Sequence, residues 1–229
     1  MATRKRKNEV RAKSSRPLIV LGAVGICLDI VDCVRAAGVR SGLKAAGFLD
    51  DNSAFHGTHI LGLPVLGPLE AASRFPDALF VCGIGSPGNF RRRDSIIARA
   101  RLAPDRFATV VHPGAQVSDS AALGRGVVVL ANCSVGAGAT LGDHVLLLPN
   151  CVIGHDSEIG PRTLLAGAVV VSGRVTVGSD CYLGAGAALR EGVTIGSGSL
   201  LGLGSALVSD MPPGSTFYGN PARSRNAKS

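Results

Sequence analysis

Aliphatic residues recur at every sixth position through the second half of the chain. The series runs from Val117 to Leu207 and comprises sixteen positions without an insertion. The position after the aliphatic residue is glycine in nine of the sixteen hexads, and the fourth position after it is Ala, Val, Cys, Ser or Thr in all hexads but the last, which has Met211. This pattern predicts a parallel β-helix in which each hexad forms a short strand and a turn, and three hexads form one coil.

A different pattern precedes the repeat. Continuous apolar runs, typical of buried parallel strands, alternate there with segments of helical spacing. This alternation predicts a small Rossmann-like α/β domain over residues 17–112, followed by the β-helix over residues 113–229. The predicted strands cover residues 17–22, 45–51, 78–85 and 107–112, and the predicted helices cover residues 26–38 and 89–102.

The positive charge of the chain is concentrated at its N-terminus. Residues 1–16 hold seven Lys or Arg residues and one Glu, a net charge of +6, whereas the remainder has a net charge of only +2. The body therefore lacks the charge expected of a nucleic-acid-binding protein. We expect the N-terminal segment to be a disordered basic tail. Contact with an anionic membrane surface is the alternative.

Composition excludes several other classes. No apolar run reaches the roughly 18 residues of a membrane span, and the basic N-terminus lacks the apolar region of a secretory signal, so a cytoplasmic protein is expected. The six cysteines form no CxxC pair. Cys133, Cys151 and Cys181 occupy the small inward position of their hexads, which predicts buried thiols. Cys133 and Cys151 are one coil apart, but a reducing cytoplasm disfavours a disulfide between them.

The candidate chemistry lies in one outward-facing turn. His155 and Asp156 follow Ile153 by two and three positions, so neither points into the core. The residues one coil away from His155 are Gly173 and Ala137, which leave room for a substrate beside the imidazole. The carboxylate would orient the imidazole and favour its protonated form. An ordinary surface histidine beside a carboxylate is the alternative, and the small stack neighbours together with Asp156 favour a functional role. The remaining histidines, which we expect to be ordinary surface residues without a matching metal-ligand pattern, are His56, His59, His112 and His144.

The chain resembles the sugar O- and N-acyltransferases that join a small nucleotide-binding α/β domain to a left-handed β-helix. These enzymes include acetyltransferases of nucleotide-linked 4-amino-sugars and sialic acid O-acetyltransferases. The resemblance covers about nine tenths of the chain. The motifs that carry it are GFLDD (47–51), PVLG (64–67), VHPGAQVS (111–118), NCVIGHDSEIG (150–160), SGRVTVGSDCYLGAGA (172–187) and FYGNPAR (217–223).

The resemblance implies a role for individual residues. It implies that His155 is the catalytic base and that Asp156 raises its basicity. It implies acetyl-CoA as the co-substrate, in a groove between two subunits of a homotrimer and without a metal. The residues that match cofactor-lining positions are Leu164, Gly173, Ala185 and Leu203.

The nucleotide sugar is expected at the carboxyl ends of the α/β strands, where ligands of open parallel sheets bind. One departure from the family lies there: the first loop reads GAVGIC (22–27), with isoleucine where relatives commonly have histidine. The candidate substrate-binding residues are Val24, Gly25, Ile26, Asp50, Asp51 and Gly85.

These observations predict an acetyl-CoA-dependent N-acetyltransferase that acts on a nucleotide-linked 4-amino-sugar in surface-glycan biosynthesis. Two alternatives remain open. The first is O-acetylation of a sugar hydroxyl, as in sialic acid O-acetyltransferases, because hydroxyl attack needs the same base. The second is a non-catalytic β-helix scaffold, against which the intact His155–Asp156 pair argues. The nucleotide base and the sugar are not specified by the sequence.

Overall fold

The fold is described from a computed structural model, which covers residues 15–225. The predicted disorder of the basic tail falls mainly on residues 1–14, outside the described residues. The first strand begins at Arg16. An α/β domain precedes a parallel β-helix, so the predicted fold class is confirmed.

The α/β domain contains two α-helices, five strands and several short 3-10 turns. Its ordered segments are β1 (Arg16–Leu21), α1 (Ile26–Ala37), β2 (Leu43–Leu49), β3 (His59–Ile60), β4 (Leu63–Pro64), β5 (Leu79–Cys82) and α2 (Arg93–Ala98), with 3-10 turns at Gly38–Ser41, Ser53–Phe55, Leu69–Arg74, Phe90–Arg92 and Pro104–Arg106.

Three of these strands form a parallel sheet in the order β2-β1-β5, and β3 pairs with β4 in an antiparallel hairpin. Strand β1 lies in the centre because its last four residues are apolar and buried. Helix α1 starts after Gly25 and stops at Gly38, both of which have positive φ (58° and 54°), a conformation that costs glycine little. The long predicted second helix is instead a 3-10 turn followed by six α-helical residues.

The predicted exit strand over residues 107–112 is divided between the two domains. Phe107 forms a β-bridge with Phe80 of the α/β sheet, whereas β6 (Val110–Val111) pairs with a strand of the β-helix. The first strand of the β-helix therefore lies before the predicted boundary at residue 113. This follows from the hydrogen bonds, since Val110 donates to Val127.

Seventeen strands of two residues build the β-helix in the described residues. They are β6 (Val110–Val111), β7 (Gln116–Val117), β8 (Ala122–Leu123), β9 (Val128–Val129), β10 (Ser134–Val135), β11 (Thr140–Leu141), β12 (Leu146–Leu147), β13 (Val152–Ile153), β14 (Glu158–Ile159), β15 (Leu164–Leu165), β16 (Val170–Val171), β17 (Thr176–Val177), β18 (Tyr182–Leu183), β19 (Ala188–Leu189), β20 (Thr194–Ile195), β21 (Leu200–Leu201) and β22 (Ala206–Leu207).

Every third strand belongs to the same sheet, so the coil has three faces. The first sheet contains β6, β9, β12, β15, β18 and β21; the second contains β7, β10, β13, β16, β19 and β22; the third contains β8, β11, β14, β17 and β20. Paired residues are 18 positions apart, as in Val135, Ile153 and Val171. The aliphatic residue of each pair points inward, as predicted, and Ile153 and Val171 are at most 1% exposed.

Hydroxyl side chains are accommodated inside the coil because each has backbone partners. Ser157 donates to the carbonyl of Ser172 (2.8 Å) and accepts from the N–H of Val175 (3.1 Å). Thr163 makes the same two kinds of bond one hexad later. Each hydroxyl thus bonds both a backbone carbonyl and a backbone N–H of the next coil, so its burial leaves no unpaired polar group.

The cysteines are also buried, as predicted. All six are free thiols, and Cys133 and Cys151 each donate to a backbone carbonyl at 3.1 Å. Burial raises the pKa of the Cys27 and Cys82 thiols, which disfavours the nucleophilic thiolate.

The last segment closes the open end of the β-helix. Strand β23 (Thr216–Tyr218) continues the first sheet, and β24 (Arg223–Ser224) turns back antiparallel to it. Met211 forms a bridge with the last strand of the third sheet, and Ala222 donates to Ala206 of the second sheet. All three sheets thus receive partners for their final backbone groups.

The α/β domain covers only the first sheet. Three outward residues of that sheet, Val128, Leu146 and Leu164, are at most 1% exposed. On the second sheet, the corresponding Val152 and Val170 are 40% and 41% exposed. The α/β domain therefore packs on the outer face of the first sheet, whereas the outer face of the second sheet is exposed.

Candidate functional site

His155 lies at the corner between the second and third sheets. Its turn connects β13 to β14. The turn is fixed by its neighbours in the stack, since Asp156 donates its N–H to Ala137 (2.9 Å) and His155 accepts from the N–H of Arg174 (2.8 Å). Asp156 has a φ of 55°, a left-handed conformation that aspartate tolerates better than most residues. The stack therefore holds both side chains outward, as the hexad register predicts.

The imidazole and the carboxylate form a hydrogen-bonded pair. His155 Nδ1 lies 2.9 Å from Asp156 Oδ2, and the two side chains are 52% and 64% exposed. A neutral ring that donates from Nδ1 carries its lone pair on Nε2. The geometry therefore presents a proton acceptor at Nε2, on the side of the ring away from the carboxylate.

Gly173 lies directly against that nitrogen. A Cβ atom at this position would be 2.5 Å from His155 Nε2 and 2.8 Å from Cε1. The absence of a side chain is therefore what leaves Nε2 accessible. No acceptor for the Gly173 N–H is found among residues 15–225, so this donor has no partner in the described part of the chain.

A charged pair that the sequence pattern did not indicate lies at the same corner. Arg174 forms an ion pair with Glu191, and Arg174 lies one coil beyond Asp156. The position of Arg174 follows from the sequence, because residues 18 positions apart stack in this fold. The guanidinium of Arg174 is paired with Glu191 one coil beyond the His155 turn.

The four predicted cofactor-lining residues do not come together in one chain. Gly173 adjoins His155, whereas Ala185 and Leu203 lie one coil apart at the corner between the first and second sheets. Leu203 is 81% exposed. Leu164 is 1% exposed and packs beneath the α/β domain, so its side chain is not open to a ligand. The exposed face of the second sheet separates the His155 corner from the Leu203 corner.

The candidate acceptor residues lie at the carboxyl ends of β1, β2 and β5. Val24 is 55% exposed, and Ile26 is the first residue of α1. Asp50 ties the first loop to β2, because its Oδ2 accepts from the N–H of Ala23 (2.9 Å) and its Oδ1 accepts from the N–H of Asn52 (2.8 Å). The carboxylate of Asp50 thus shapes the loop in addition to any contact with a ligand.

Asp51 points to a different neighbourhood. Its Oδ1 accepts from the N–H of Leu69 (3.1 Å), and its Oδ2 pairs with Arg99 at 2.6 Å. Arg99 also pairs with Glu70. The two adjacent aspartates therefore face opposite sides of the strand end, as alternating residues of an extended chain do.

This difference gives a testable contrast. Asp50→Ala is expected to raise the KM for the acceptor about tenfold, equivalent to about 1.4 kcal/mol, because the loop loses its anchor. Asp51→Ala is expected to lower the free energy of unfolding by about 1 kcal/mol with little effect on that KM. Steady-state kinetics and chemical denaturation of both variants measure the two effects. Equal KM values for wild type and Asp50→Ala would contradict the assignment of acceptor binding to the carboxyl edge of the sheet.

Gly85 lies where β5 meets the β-helix. A Cβ atom there would be 2.5 Å from Leu164 Cδ1 and 3.5 Å from Arg93 Nε. Arg93 is fully buried; its Nε donates to Ile84 O (3.0 Å) and its Nη1 donates to Arg162 O (2.6 Å). This arginine therefore joins the end of β5 directly to the β-helix, a role that sequence pattern did not indicate.

The prediction that His144 is an ordinary surface residue is wrong. The ring lies between the two domains, 4.6 Å from the Phe107 ring in an edge-on contact, and its Nδ1 is buried without a partner in the described part of the chain. Burial, with a smaller effect from the Arg93 charge, lowers the pKa of His144 to about 4. The hexad register marked this residue as outward, but the α/β domain covers that corner.

His144 should make stability depend on pH. The unfolded histidine binds a proton near pH 6.5, whereas the folded one binds it only near the depressed pKa of about 4. The unfolded state therefore holds more protons in this window, and stability is lost as the pH falls through it. Between pH 7 and pH 5 the loss should be about 2 kcal/mol larger in wild type than in His144→Gln. Urea titrations at both pH values measure it; equal losses would contradict the burial argument.

The described residues hold no group of three or more His, Cys, Asp or Glu side chains placed to bind a metal ion. Across residues 15–225, no helix has the length and apolar character needed to cross a membrane.

Comparisons with known proteins agree with this architecture. The family profile described as "Hexapeptide repeat of succinyl-transferase" matches residues 174–208. UDP-N-acetylbacillosamine N-acetyltransferase of Bacillus subtilis (strain 168) is 35% identical over 97 residues, which are 40% of this chain and 42% of that protein. The chain therefore matches less than half the length of this curated relative.

Solved structures cover almost the whole chain. The acetyltransferase domain of PglB from Neisseria gonorrhoeae FA1090 is 30% identical, with a TM-score of 0.80 over 91% of this chain and 99% of that one. The chain belongs to the hexapeptide-repeat sugar acyltransferases. PerB from Caulobacter crescentus, solved in complex with CoA and GDP-perosamine, is also 30% identical, with a TM-score of 0.80 over 92% and 97% of the two chains. The PglB domain has also been solved in complex with acetyl coenzyme A.

Proposed function

We propose that this sugar acyltransferase transfers an acetyl group from acetyl-CoA to the amine of a nucleotide-linked amino-sugar, in the biosynthesis of surface glycans. The observation that carries the proposal is the His155–Asp156 pair with its open Nε2 beside Gly173. Relatives that match 92% of the chain, solved with acetyl coenzyme A or with CoA and GDP-perosamine, support the substrate classes.

The chemistry assigned to the corner is general-base catalysis of amide formation. His155 Nε2 takes a proton from the sugar amine as its nitrogen attacks the thioester carbonyl. Asp156 stabilises the imidazolium that forms, because its Oδ2 already accepts from Nδ1. The Gly173 N–H is the candidate donor to the oxyanion. When the C–S bond breaks, the imidazolium returns the proton to the leaving thiolate of CoA.

The acceptor is assigned to the carboxyl edge of the α/β sheet. The turn at Gly25 precedes the N-terminus of α1, where free backbone N–H groups and the helix dipole favour a diphosphate. Asp50 holds this turn through the N–H of Ala23. Ile26 offers no side-chain hydrogen bond, so this proposal rests the recognition of the phosphates on backbone groups.

The proposed acceptor edge of the α/β domain and the His155 corner do not meet in one chain. The α/β domain covers the first sheet, and the His155 corner is formed by the other two sheets, so the corner is opposite the covered face of the prism. An acceptor held by one subunit therefore reaches the histidine of another subunit. The apolar face of the second sheet, with Val152 and Val170 exposed, provides a surface for that neighbour and leads from His155 to the Ala185 and Leu203 corner. We propose a homotrimer with acetyl-CoA between subunits.

The assembly can be tested directly. Light scattering of the wild-type protein is expected to give three times the 23.3 kDa of one chain. The double variant Val152→Asp/Val170→Asp places charges on the exposed face, so it is expected to dissociate and to lose activity at micromolar concentrations. A stable and fully active monomer would exclude the shared site.

Release of free CoA thiol across a panel of acceptors tests the reaction itself. The panel consists of UDP-, GDP- and dTDP-linked amino-sugars, the matching hydroxyl sugars and free sialic acid. Rapid release with one amino-sugar supports the proposal, and release only with a hydroxyl sugar or sialic acid would indicate O-acetylation. Absence of acetyl-CoA binding by calorimetry would indicate a scaffold.

A further inference from the structure

His56 belongs to the loop that leaves the carboxyl end of β2. Its Nε2 lies 2.7 Å from the backbone carbonyl oxygen of Asp50, and the side chain is partly buried. A carbonyl oxygen only accepts hydrogen bonds, so Nε2 carries the proton and the neutral ring has its lone pair on Nδ1. The bond to Asp50 therefore fixes both the tautomer and the orientation of the ring.

The loop around His56 is held by further contacts. A 3-10 turn (Ser53–Phe55) precedes it, and the first residue of that turn accepts from the His56 N–H at 3.1 Å. The last residue of the turn, Phe55, packs against the buried core of the α/β domain. The imidazole is therefore part of a defined turn at the end of β2.

This turn lies on the outer side of β2. The sheet order is β2-β1-β5, so only one side of β2 faces β1. On the other side, Phe48 of β2 forms a β-bridge with Val65. Gly57 donates its N–H to Val65 at 3.1 Å, so the preceding residue, His56, lies on the side of β2 away from β1.

Nδ1 of His56 is an unused acceptor at this strand end. It has no hydrogen-bond partner within residues 15–225, and it is open to solvent. The neighbouring carboxylates are already engaged, because both oxygens of Asp50 accept backbone N–H groups and those of Asp51 bond Leu69 and Arg99. A neutral imidazole also accepts a hydrogen bond without repelling a diphosphate, as a carboxylate would.

We propose that His56 Nδ1 accepts a hydrogen bond from an N–H group of the nucleobase of the acceptor. This inference rests on the proposed function, in which the diphosphate lies at the N-terminus of α1. Nucleotides on such sheets place the ribose at the acidic end of the second strand. The base is attached to the ribose on the side away from the phosphates, so it lies beyond β2, on the side where His56 is.

Calorimetric binding of nucleoside diphosphates tests this contact independently of turnover. The probe is whichever of UDP, GDP and dTDP the wild-type protein binds most tightly, and ribose 5-diphosphate is the matching ligand without a base. His56→Gln places an amide nitrogen near the position of Nε2, so it keeps the donor to Asp50 and removes the acceptor. It is expected to raise the Kd of the nucleotide about tenfold, as the loss of one hydrogen bond does, and to leave ribose 5-diphosphate unchanged.

Two further variants separate a direct contact from a structural one. His59→Gln makes the same substitution on an exposed residue of the same segment and should change neither Kd by more than about twofold. His56→Ala removes both hydrogen bonds of the ring. If His56→Ala weakens nucleotide binding and His56→Gln does not, the imidazole acts only by holding the end of β2, and the direct contact is refuted.

Steady-state kinetics on the true acceptor provide a second measurement. His56→Gln should raise the KM for the acceptor about tenfold and leave kcat and the KM for acetyl-CoA unchanged, because the base lies far from the reacting amine. A fall in kcat at an unchanged acceptor KM would overturn the proposal. Melting temperatures close to that of wild type show that the variants are folded.

Failure of this inference and failure of the proposed function give different results. Equal nucleotide Kd values for wild type and His56→Gln overturn the role of His56 and leave the acceptor site in place. Equal weakening of the nucleotide and of ribose 5-diphosphate assigns the contact to the ribose or the phosphates, which also overturns it. If wild type binds none of the three nucleoside diphosphates, the acceptor site itself is contradicted, and the role of His56 with it.

Discussion

Replacing His155 with alanine is expected to lower the turnover number by about 10²–10⁴-fold, the usual contribution of a positioned general base. The melting temperature should stay nearly unchanged, because the side chain is half exposed and its hydrogen bond is to another exposed side chain. The measurement compares thiol release with thermal unfolding on the same preparations. Both measurements are needed, because loss of a catalytic residue lowers turnover without lowering the melting temperature.

The variant Asp156→Asn provides a graded control. It keeps the size of the side chain and removes the charge that stabilises the imidazolium, so turnover should fall by less than in His155→Ala. If His155→Ala turns over within a few-fold of wild type on the true acceptor, the histidine is a surface residue and the proposed mechanism is wrong.

The variant Gly173→Ala is expected to lower turnover by about 10²-fold. A methyl group at this position would lie 2.5 Å from His155 Nε2, so the imidazole must move aside. A shift of about 1 Å in a catalytic group can cost a factor of this size. The added carbon should also shield the Gly173 N–H. Acetyl-CoA affinity and melting temperature are measured in parallel, to separate displacement of the ring from loss of binding or of folding.

A double-mutant cycle makes the second result specific. In the His155→Ala background there is no imidazole to displace, so Gly173→Ala should cost little further activity. Full and independent losses from both substitutions would mean that Gly173 acts through the cofactor groove and not through the histidine.

Much of the β-helix could be predicted from sequence because its register is local. Each residue points inward or outward according to its place in the hexad, and stacking partners are 18 positions apart, so the environment of His155 and Gly173 was accessible without coordinates. The same rule explains why Ser157 and Thr163 can be buried: the small position accepts a hydroxyl that finds a backbone carbonyl.

The unexpected burial at two outward positions has one physical origin. The hexad register distinguishes inside from outside, but it carries no information on which outward face another domain covers. Leu164 and His144 both follow the outward pattern, but the α/β domain encloses Leu164 and partly covers His144. Asp50 and Asp51 show a related limit. The two side chains have the same chemistry, but the path of the loops brings Leu69 and Arg99 to Asp51 and brings Ala23 to Asp50.

The closed end of the β-helix has a consequence for the behaviour of the protein in solution. A parallel solenoid is a template for its own growth, because its last strands offer unpaired N–H and C=O groups to any strand that arrives. Here β24 runs antiparallel, and Met211 and Ala222 supply partners to the other two sheets. Removal of this closing segment would leave three adjacent sheet edges of apolar two-residue strands exposed. Such ends invite end-to-end stacking of chains, so the closing segment protects the enzyme against polymerisation into fibres.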